Sequence, residues 1–274
     1  MTENLIPIIS LSAIAFILGV VILIISKKFH VQTDPLVDSI NKILPGVNCG
    51  ACGYAGCSNF AEALVKTRDT SKVCPVGGKA LSEQIGNLLG IKMADIKPVV
   101  VAVLCQGNNE KAKLTAEYRG IADCWAISQA YTGPKKCPNS CIGFGSCIPA
   151  CKYGALKLEK GLIKVIEERC VGCGACVKKC PRNVLVMQEK KEKRYFVACQ
   201  SVDKGAMTRQ YCSIGCIACT LCVKSCKFDA IKIENNLAVI DQNKCVSCEA
   251  CIKVCPTKCI TLHQDKVPAK TQSL

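Results

Sequence analysis

Two cysteine runs lie between Cys137 and Cys180: Cys137-x3-Cys141-x5-Cys147-x3-Cys151, then Cys170-x2-Cys173-x2-Cys176-x3-Cys180-Pro181. Adding 75 to each number lands on cysteine again, at Cys212, Cys216, Cys222, Cys226, Cys245, Cys248, Cys251 and Cys255, and Pro181 lands on Pro256. Cys124 maps onto Cys199 at the same offset. Cysteines held in register at one offset are an internal repeat. The chemistry that suits them is an iron–sulfur cubane, which needs four thiolates at the corners of a tetrahedron. Three cysteines two residues apart can wrap three corners, and the fourth must come from elsewhere in the chain. Zinc typically takes two C-x2-C pairs separated by about a dozen residues or more, and four thiolates in one short repeated run exceed what it requires.

The runs resemble those of two-cluster bacterial ferredoxins, in which the fourth Cys of each run ligates the other run's cluster. The resemblance implies cluster 3 on Cys151, Cys170, Cys173 and Cys176. It implies cluster 4 on Cys216, Cys219, Cys222 and Cys255, and cluster 5 on Cys226, Cys245, Cys248 and Cys251. The remaining run departs from the pattern, because the counterpart of Cys219 is Phe144, which cannot bind iron. Cluster 2 keeps Cys141, Cys147 and Cys180. Its simplest fourth ligand is Cys137, and a three-cysteine site is the alternative.

A further set stands apart from the repeat: Cys49-x2-Cys52-x4-Cys57-x16-Cys74-Pro75, with Gly50, Gly53 and Gly56 between the first three. Small residues let the backbone approach inorganic sulfide and aim N–H groups at it, which helps to set the reduction potential. This is cluster 1, in a module of its own. A helix over 59–68 brings Cys74 back to the site.

The elements that must hold these ligands are short. Within each repeat, ALKLEKGLIKVIEERC and AIKIENNLAVIDQNKC read as hairpins turning at Lys160-Gly161 and Asn235-Asn236, with alternating apolar residues on both sides. Pro98-VVVAVL is a short apolar run that predicts a buried strand. Val37, Ile40, Ile43 and Leu44 fall at helical spacing, and Pro45-Gly46 ends that connector. A helix from 76 ends at Gly90. The fold class is α+β: one N-terminal transmembrane helix, a small single-cluster 4Fe-4S module and two tandem bacterial-ferredoxin-like two-cluster domains. The boundaries are 1–28 for the anchor, 29–92 for the single-cluster module, 93–198 for a linker region with the first repeat, 199–263 for the second repeat, and 264–274 for a polar, disordered tail.

Residues 5–26, LIPIISLSAIAFILGVVILIIS, carry no charge. At about 1.5 Å per residue they span roughly 33 Å, against a hydrocarbon core of about 30 Å. Lys27 and Lys28 follow, and Glu3 is the one charged side chain before the run. The positive-inside rule then sets the N-terminus outside and the cluster domains in the cytoplasm. A cleaved signal peptide wants a basic start and a small-residue cleavage site, and neither is present. The span holds no ionisable group, so any ion pathway runs through another subunit.

Of 274 residues, 25 are cysteine and 5% are aromatic. That is poor for one large hydrophobic core; the clusters are expected to serve as cores of small modules. The odd count and the reducing compartment argue against disulfides. The formal charge of +15 would suggest nucleic acid or an anionic surface. Five oxidised clusters at about −2 each offset roughly ten of those charges. No aromatics are interleaved with the basic residues, so nucleic acid is not an expected partner.

A charge-free span, the four-cysteine module and ferredoxin-type runs together resemble the B subunits of the Rnf complex. Rnf is a membrane-bound, ion-translocating ferredoxin:NAD+ oxidoreductase. The doubled ferredoxin region resembles the longer forms of those subunits, found in anaerobic bacteria. The resemblance implies a single-pass protein of the bacterial cell membrane and a translocase component whose own chemistry is electron transfer. Soluble ferredoxin would be the donor, and the other Rnf subunits, some flavin-bearing, the partners. Lys152, Lys178, Lys179 and Lys224 could steer acidic ferredoxin. A membrane hydrogenase or a corrinoid-linked system is the alternative electron-transfer setting, and a zinc-stabilised interaction protein the alternative class.

About five clusters leave Cys105, Cys124, Cys199, Cys212 and Cys259 over. Buried inert thiols are the expectation, with a sixth cluster recruiting Cys105 and Cys124 as the alternative. The sequence has no G-x-G-x-x-G after a strand, no P-loop and no catalytic triad. Its two histidines, His30 and His263, read as surface residues. No substrate chemistry is expected beyond one-electron transfer.

Overall fold

The computed structural model describes residues 5–28, 34–95, 97–190 and 193–262; within the first helix, side chains are described for 12–25. His30, His263 and the tail 264–274 lie outside the described residues. Helix α1 (Leu5–Lys28) covers the charge-free run. Its described side chains are all exposed, with Phe16 at 73%. Among the described residues no helix is long and apolar enough to cross a membrane. The stretch 12–25 amounts to about 21 Å of helix at about 1.5 Å per residue.

Helix α2 (Pro35–Ile43) starts where its sequence says it should. Asp34 accepts from Leu36 N–H at 2.9 Å, and proline occupies the first turn. It is more than a connector. Ile40 is fully buried against Phe60 and Leu64 of α3 (Cys57–Thr67) and Ile85 of α4 (Gly78–Leu89). Three amphipathic helices therefore form the core beneath Cys74. Helix α4 ends on Gly90 at φ +65°, as expected.

Strand β1 (Val99–Val103) is followed by α5 (Cys124–Ala130) and then the hairpin β2 (Leu156–Glu159) and β3 (Leu162–Val165). Lys160 and Gly161 both have positive φ, which a tight two-residue hairpin turn requires. The short helix α6 (Ala175–Lys178) leads into β4 (Leu185–Glu189), which pairs antiparallel with β1 in the register Val103↔Leu185.

The second repeat copies this plan. Strand β5 (Tyr195–Val197) precedes α7 (Gly205–Tyr211) and α8 (Leu221–Ser225). The hairpin β6 (Ile231–Glu234) and β7 (Leu237–Ile240) turns at Asn235-Asn236, again with positive φ at both. After α9 (Ala250–Val254), β8 (Ile260–Leu262) pairs with β5 in the register Val197↔Ile260. Leu185 and Ile260 differ by the repeat offset of 75, so Val103 and Val197 are structurally equivalent. Two residues on, Cys105 is therefore the counterpart of Cys199. The backbone bonds agree: Leu104 N–H donates to Val184 O at 2.7 Å, and Ala198 N–H donates to Cys259 O at 2.8 Å.

The expectation that Cys124 is the counterpart of Cys199 is thereby corrected. Between strand and ligand run the first repeat is 19 residues longer than the second (Cys105 to Cys137 against Cys199 to Cys212), and α5 with Cys124 lies inside that longer stretch. The two strand pairs face one another, with Ala102 and Leu104 packed against Phe196 and Ala198.

Candidate iron–sulfur centres

The ligand loops are bent by residues in the left-handed region. Gly172 and Gly174 stand at φ +65° and +72° between Cys170, Cys173 and Cys176. Their counterparts Ser247 and Glu249 adopt +59° and +67° without the freedom of glycine. Such bends turn successive thiols toward one point.

Four cavities are each lined by four cysteines. One holds Cys151, Cys170, Cys173 and Cys176. One holds Cys226, Cys245, Cys248 and Cys251. These are the sets expected for clusters 3 and 5. Burial pushes the Cys176 thiol up to about 12, and the neighbouring Cys170, Cys173 and Cys151 add to the shift. Burial likewise raises Cys251, helped by Cys245, Cys248 and Cys226.

The set expected for cluster 4 is also together. Burial pushes Cys222 up to about 11, with Cys216, Cys219 and Cys255 contributing. Cys259, buried at 3% exposure, lies 3.7 Å from Cys255 Sγ to Sγ. In the N-terminal module Cys74 is raised by burial and by Cys52 and Cys49, against the N–H groups of Gly77 and Val76. Cys52 and Cys57 pack on the same core. Asn48 Oδ1 accepts from Cys57 N–H at 2.8 Å and fixes the start of α3.

The expected cluster 2 set is not assembled as expected. Cys141, Cys147 and Cys180 share a third cavity, and the fourth cysteine in it is Cys124. Burial pushes Cys147 up to about 12, followed by Cys141, Cys180 and Cys124. The reason is the insertion: Cys124 opens α5, its N–H donates to Ser146 Oγ at 2.7 Å, and it packs with Phe144. It thus enters where the second repeat has Cys219.

Cys137 lies instead in the fourth cavity, with Cys105, Cys199 and Cys212. Burial pushes its thiol up to about 12, then Cys105, Cys199 and Cys212 add to the shift. The expected pairing of Cys105 with Cys124 is corrected too, since the two belong to different cavities. Cys105, Cys199 and Cys212 therefore lie beside Cys137, and Cys124 beside Cys141, Cys147 and Cys180.

The donor sets fit cages of iron and sulfide. All four donors in each cavity are thiols, and each cavity encloses about 320–380 Å3, open solvent at its mouth included. A single zinc ion at about 2.3 Å from each sulfur would draw them to about 3.8 Å from one another. Among the described residues no three Cys, His, Asp or Glu side chains converge tightly enough to grip one metal ion.

Tyr153 links two of the sites. It lines the cavity of Cys151 and Cys173, burial and then Cys49, Cys173, Cys74 and Cys57 push its pKa up to about 12, and its buried Oη has no hydrogen-bond partner among the described residues. Lys152 Nζ, one of the lysines expected to steer a partner, instead donates to Val47 O at 2.9 Å and helps to dock the N-terminal module on the first repeat.

Fold and donors together define a multi-cluster 4Fe-4S protein of the ferredoxin type. A family model for an Fe–S cluster matches residues 44–76, and 4Fe-4S dicluster domain models match 135–185, 169–230 and 213–262. The B subunit of the ion-translocating oxidoreductase complex of Methanosarcina acetivorans is 40% identical over 92% of this chain and 96% of its own. The B subunit of the proton-translocating ferredoxin:NAD(+) oxidoreductase complex of Clostridium ljungdahlii is 40% identical over 85% of this chain and 82% of its own. The B subunit of the Na(+)-translocating complex of Acetobacterium woodii is 38% identical over 94% and 77%. The chain belongs to this family, the B subunits of ion-translocating oxidoreductase complexes.

Proposed function

We propose that this chain relays electrons at the cytoplasmic membrane within an ion-translocating ferredoxin:NAD+ oxidoreductase, accepting them from reduced ferredoxin. The ligand sets we assign are Cys49, Cys52, Cys57 and Cys74; Cys151, Cys170, Cys173 and Cys176; Cys216, Cys219, Cys222 and Cys255; and Cys226, Cys245, Cys248 and Cys251. A cubane on four thiolates supplies reversible one-electron transfer.

The observation that carries the reading is the adjacency of the sets. Lys152 Nζ donates to Val47 O, two residues before Cys49, and the next residue, Tyr153, lines the cavity of Cys151 and Cys173, so the N-terminal module lies against the first repeat. The chain's own residues do three things: they turn the thiols inward, shield them from water, and aim N–H groups at sulfur. Helix α1 is the membrane anchor in this reading, crossing once with its N-terminus outside. Flavin-bearing subunits of the complex are the next acceptors in this reading. Lys178, Lys179 and Lys224 are exposed and remain available to steer an acidic donor; Lys152 is committed to Val47.

Anaerobically purified protein is expected to be brown and to bleach with dithionite and with reduced ferredoxin. Ferredoxin oxidation should slow as salt rises, and a flat rate removes the steering role. A colourless, zinc-loaded protein defeats the reading.

A further inference from the structure

We propose that Cys105, Cys137, Cys199 and Cys212 hold a sixth 4Fe-4S cluster, which staples the two repeats together. We further propose that Cys124 is the fourth ligand of the site of Cys141, Cys147 and Cys180. The inference rests on the iron–sulfur reading above and extends it to residues that no ferredoxin-type run accounts for.

The first argument is symmetry. Cys105 and Cys199 each stand two residues beyond equivalent strand positions, Val103 and Val197. Cys137 and Cys212 each stand four residues before the first ligand of their runs, Cys141 and Cys216. Each repeat thus contributes the same two thiols, and the four meet in one cavity. That cavity, at about 380 Å3, is close in size to the about 320 and 340 Å3 of the two cavities at the ferredoxin-type sets.

The second argument is the backbone around the sulfurs. Cys141 N–H donates to Cys105 Sγ at 3.5 Å. Gly107 N–H also faces Cys105, Asn139 N–H faces Cys137, and the N–H groups of Ser201 and Cys216 face Cys199. Amides aimed at thiolate sulfur are what a cluster site uses to stabilise its charge. Gly107 is closely packed there: a Cβ would lie 3.2 Å from Ala112 Cβ, with Cys212 Sγ and Cys105 Sγ in contact at 3.4 and 3.7 Å.

The third argument is ligand accounting between the repeats. In the second repeat Cys219 completes its own run, which leaves Cys199 for the shared site. In the first repeat Phe144 replaces that ligand, and the insertion delivers Cys124 to the vacated corner. Six sets of four then use every cysteine except Cys259.

The site also has one of the other sets on each side. Cys141 contacts Cys105 on one side, and Cys199 is next to Cys216 on the other. The shared site thus bridges the set of Cys141 in the first repeat and the set of Cys216 in the second. The flanking glutamines cross the same seam. Gln200 Nε2 donates to Arg182 O and Asn139 O, each at 2.8 Å, and Gln106 Nε2 donates to Cys259 O at 3.5 Å.

The test uses the full chain, produced and reconstituted anaerobically. Iron per chain is expected to reach about 24, and about 20 overturns the sixth site. Cys199→Ala combined with Cys212→Ala is expected to lose about four irons, whereas Cys259→Ala loses none. Undiminished iron in the double variant overturns the proposal even if the wild-type count is high. Cys124→Ala should lose the EPR signal of one reduced cluster, and adding Phe144→Cys should restore it; an unchanged signal in Cys124→Ala overturns the ligand exchange. About twenty irons leave the electron-transfer reading standing, while a chain without reducible iron fails that reading itself.

Discussion

Lys135 Nζ donates to the carbonyl oxygen of Cys141 at 2.9 Å, from a side chain only 1% exposed. A second bond, to Gly161 O at 2.6 Å, fixes the ammonium in place. The residue lies beside both Cys141 and Cys105, whose titrations it affects. A buried cation is costly unless something nearby is negative, and clusters on four thiolates carry net negative charge. Lys135 therefore favours the reduced state of its neighbours. Lys135→Met should lower the midpoint potential of at least one cluster by on the order of 100 mV, taking one charge at about 7 Å and an effective dielectric of about 20. Lys136→Met is the control, because Lys136 is exposed and sits over the ring of Tyr211. EPR-monitored redox titration of both variants measures the difference. Equal potentials would remove the electrostatic role.

Tyr153 offers a second lever on potential. Its Oη is buried without a partner among the described residues, and burial followed by the nearby cysteines pushes its pKa up to about 12. A buried hydroxyl needs an acceptor, and the sulfurs of the two flanking cysteine sets are at hand. Tyr153→Phe should keep all its iron, with one midpoint potential falling by on the order of tens of mV as a hydrogen bond to sulfur is lost. Iron analysis and redox titration on the same sample check both halves. Lost iron would make Tyr153 a structural residue instead.

The ligand runs were legible because their information is local: spacing within ten residues decides which thiols can meet. The hairpins were legible for the same reason, through Lys160-Gly161 and Asn235-Asn236. The shared site was not, because it depends on pairing Val99 with Glu189 and Tyr195 with Leu262 across long stretches of chain. A single offset of 75 also equated Cys124 with Cys199, which the insertion makes a false match. The signal that could have found the true one is the V-x-C-Q that occurs at both Val103–Gln106 and Val197–Gln200. At Phe144 the run lacks a thiol, and the cysteine that packs beside it, Cys124, comes from a helix whose position in space no local spacing encodes.

The two repeats solve the same backbone problem differently, and this makes a stability prediction. At Gly172 a Cβ would lie 2.4 Å from Val99 O, at a φ of +65°. Gly172→Ala therefore forces β1 away from the ligand loop, and should destabilise by on the order of 2–4 kcal/mol. Thr220 is a β-branched residue held at φ +63°, a conformation that strains any side chain branched at Cβ. Thr220→Gly relieves that strain against a larger unfolded-state entropy, for a net gain of about 0.5–1 kcal/mol. Denaturant midpoints of the cluster-loaded protein, measured anaerobically, should move in opposite directions for the two variants.

Iron removal should be visible through the single tryptophan. Trp125 follows Cys124 directly, and its Nε1 donates to Lys179 O at 3.1 Å, one residue before Cys180. The indole is thus held between two cysteines of one cavity. A cluster there absorbs broadly and quenches nearby emission, so Trp125 fluorescence should be weak in the loaded protein. It should rise as a chelator strips the iron. Because ligation stands in for apolar burial in these small modules, far-UV circular dichroism should fall over the same chelator range. Cys124→Ala should already show the raised emission while retaining most of its dichroism, since the other sets still hold iron. Emission that stays constant through complete iron loss would mean that no cluster sits beside Trp125, and would return Cys124 to the role of a packed thiol.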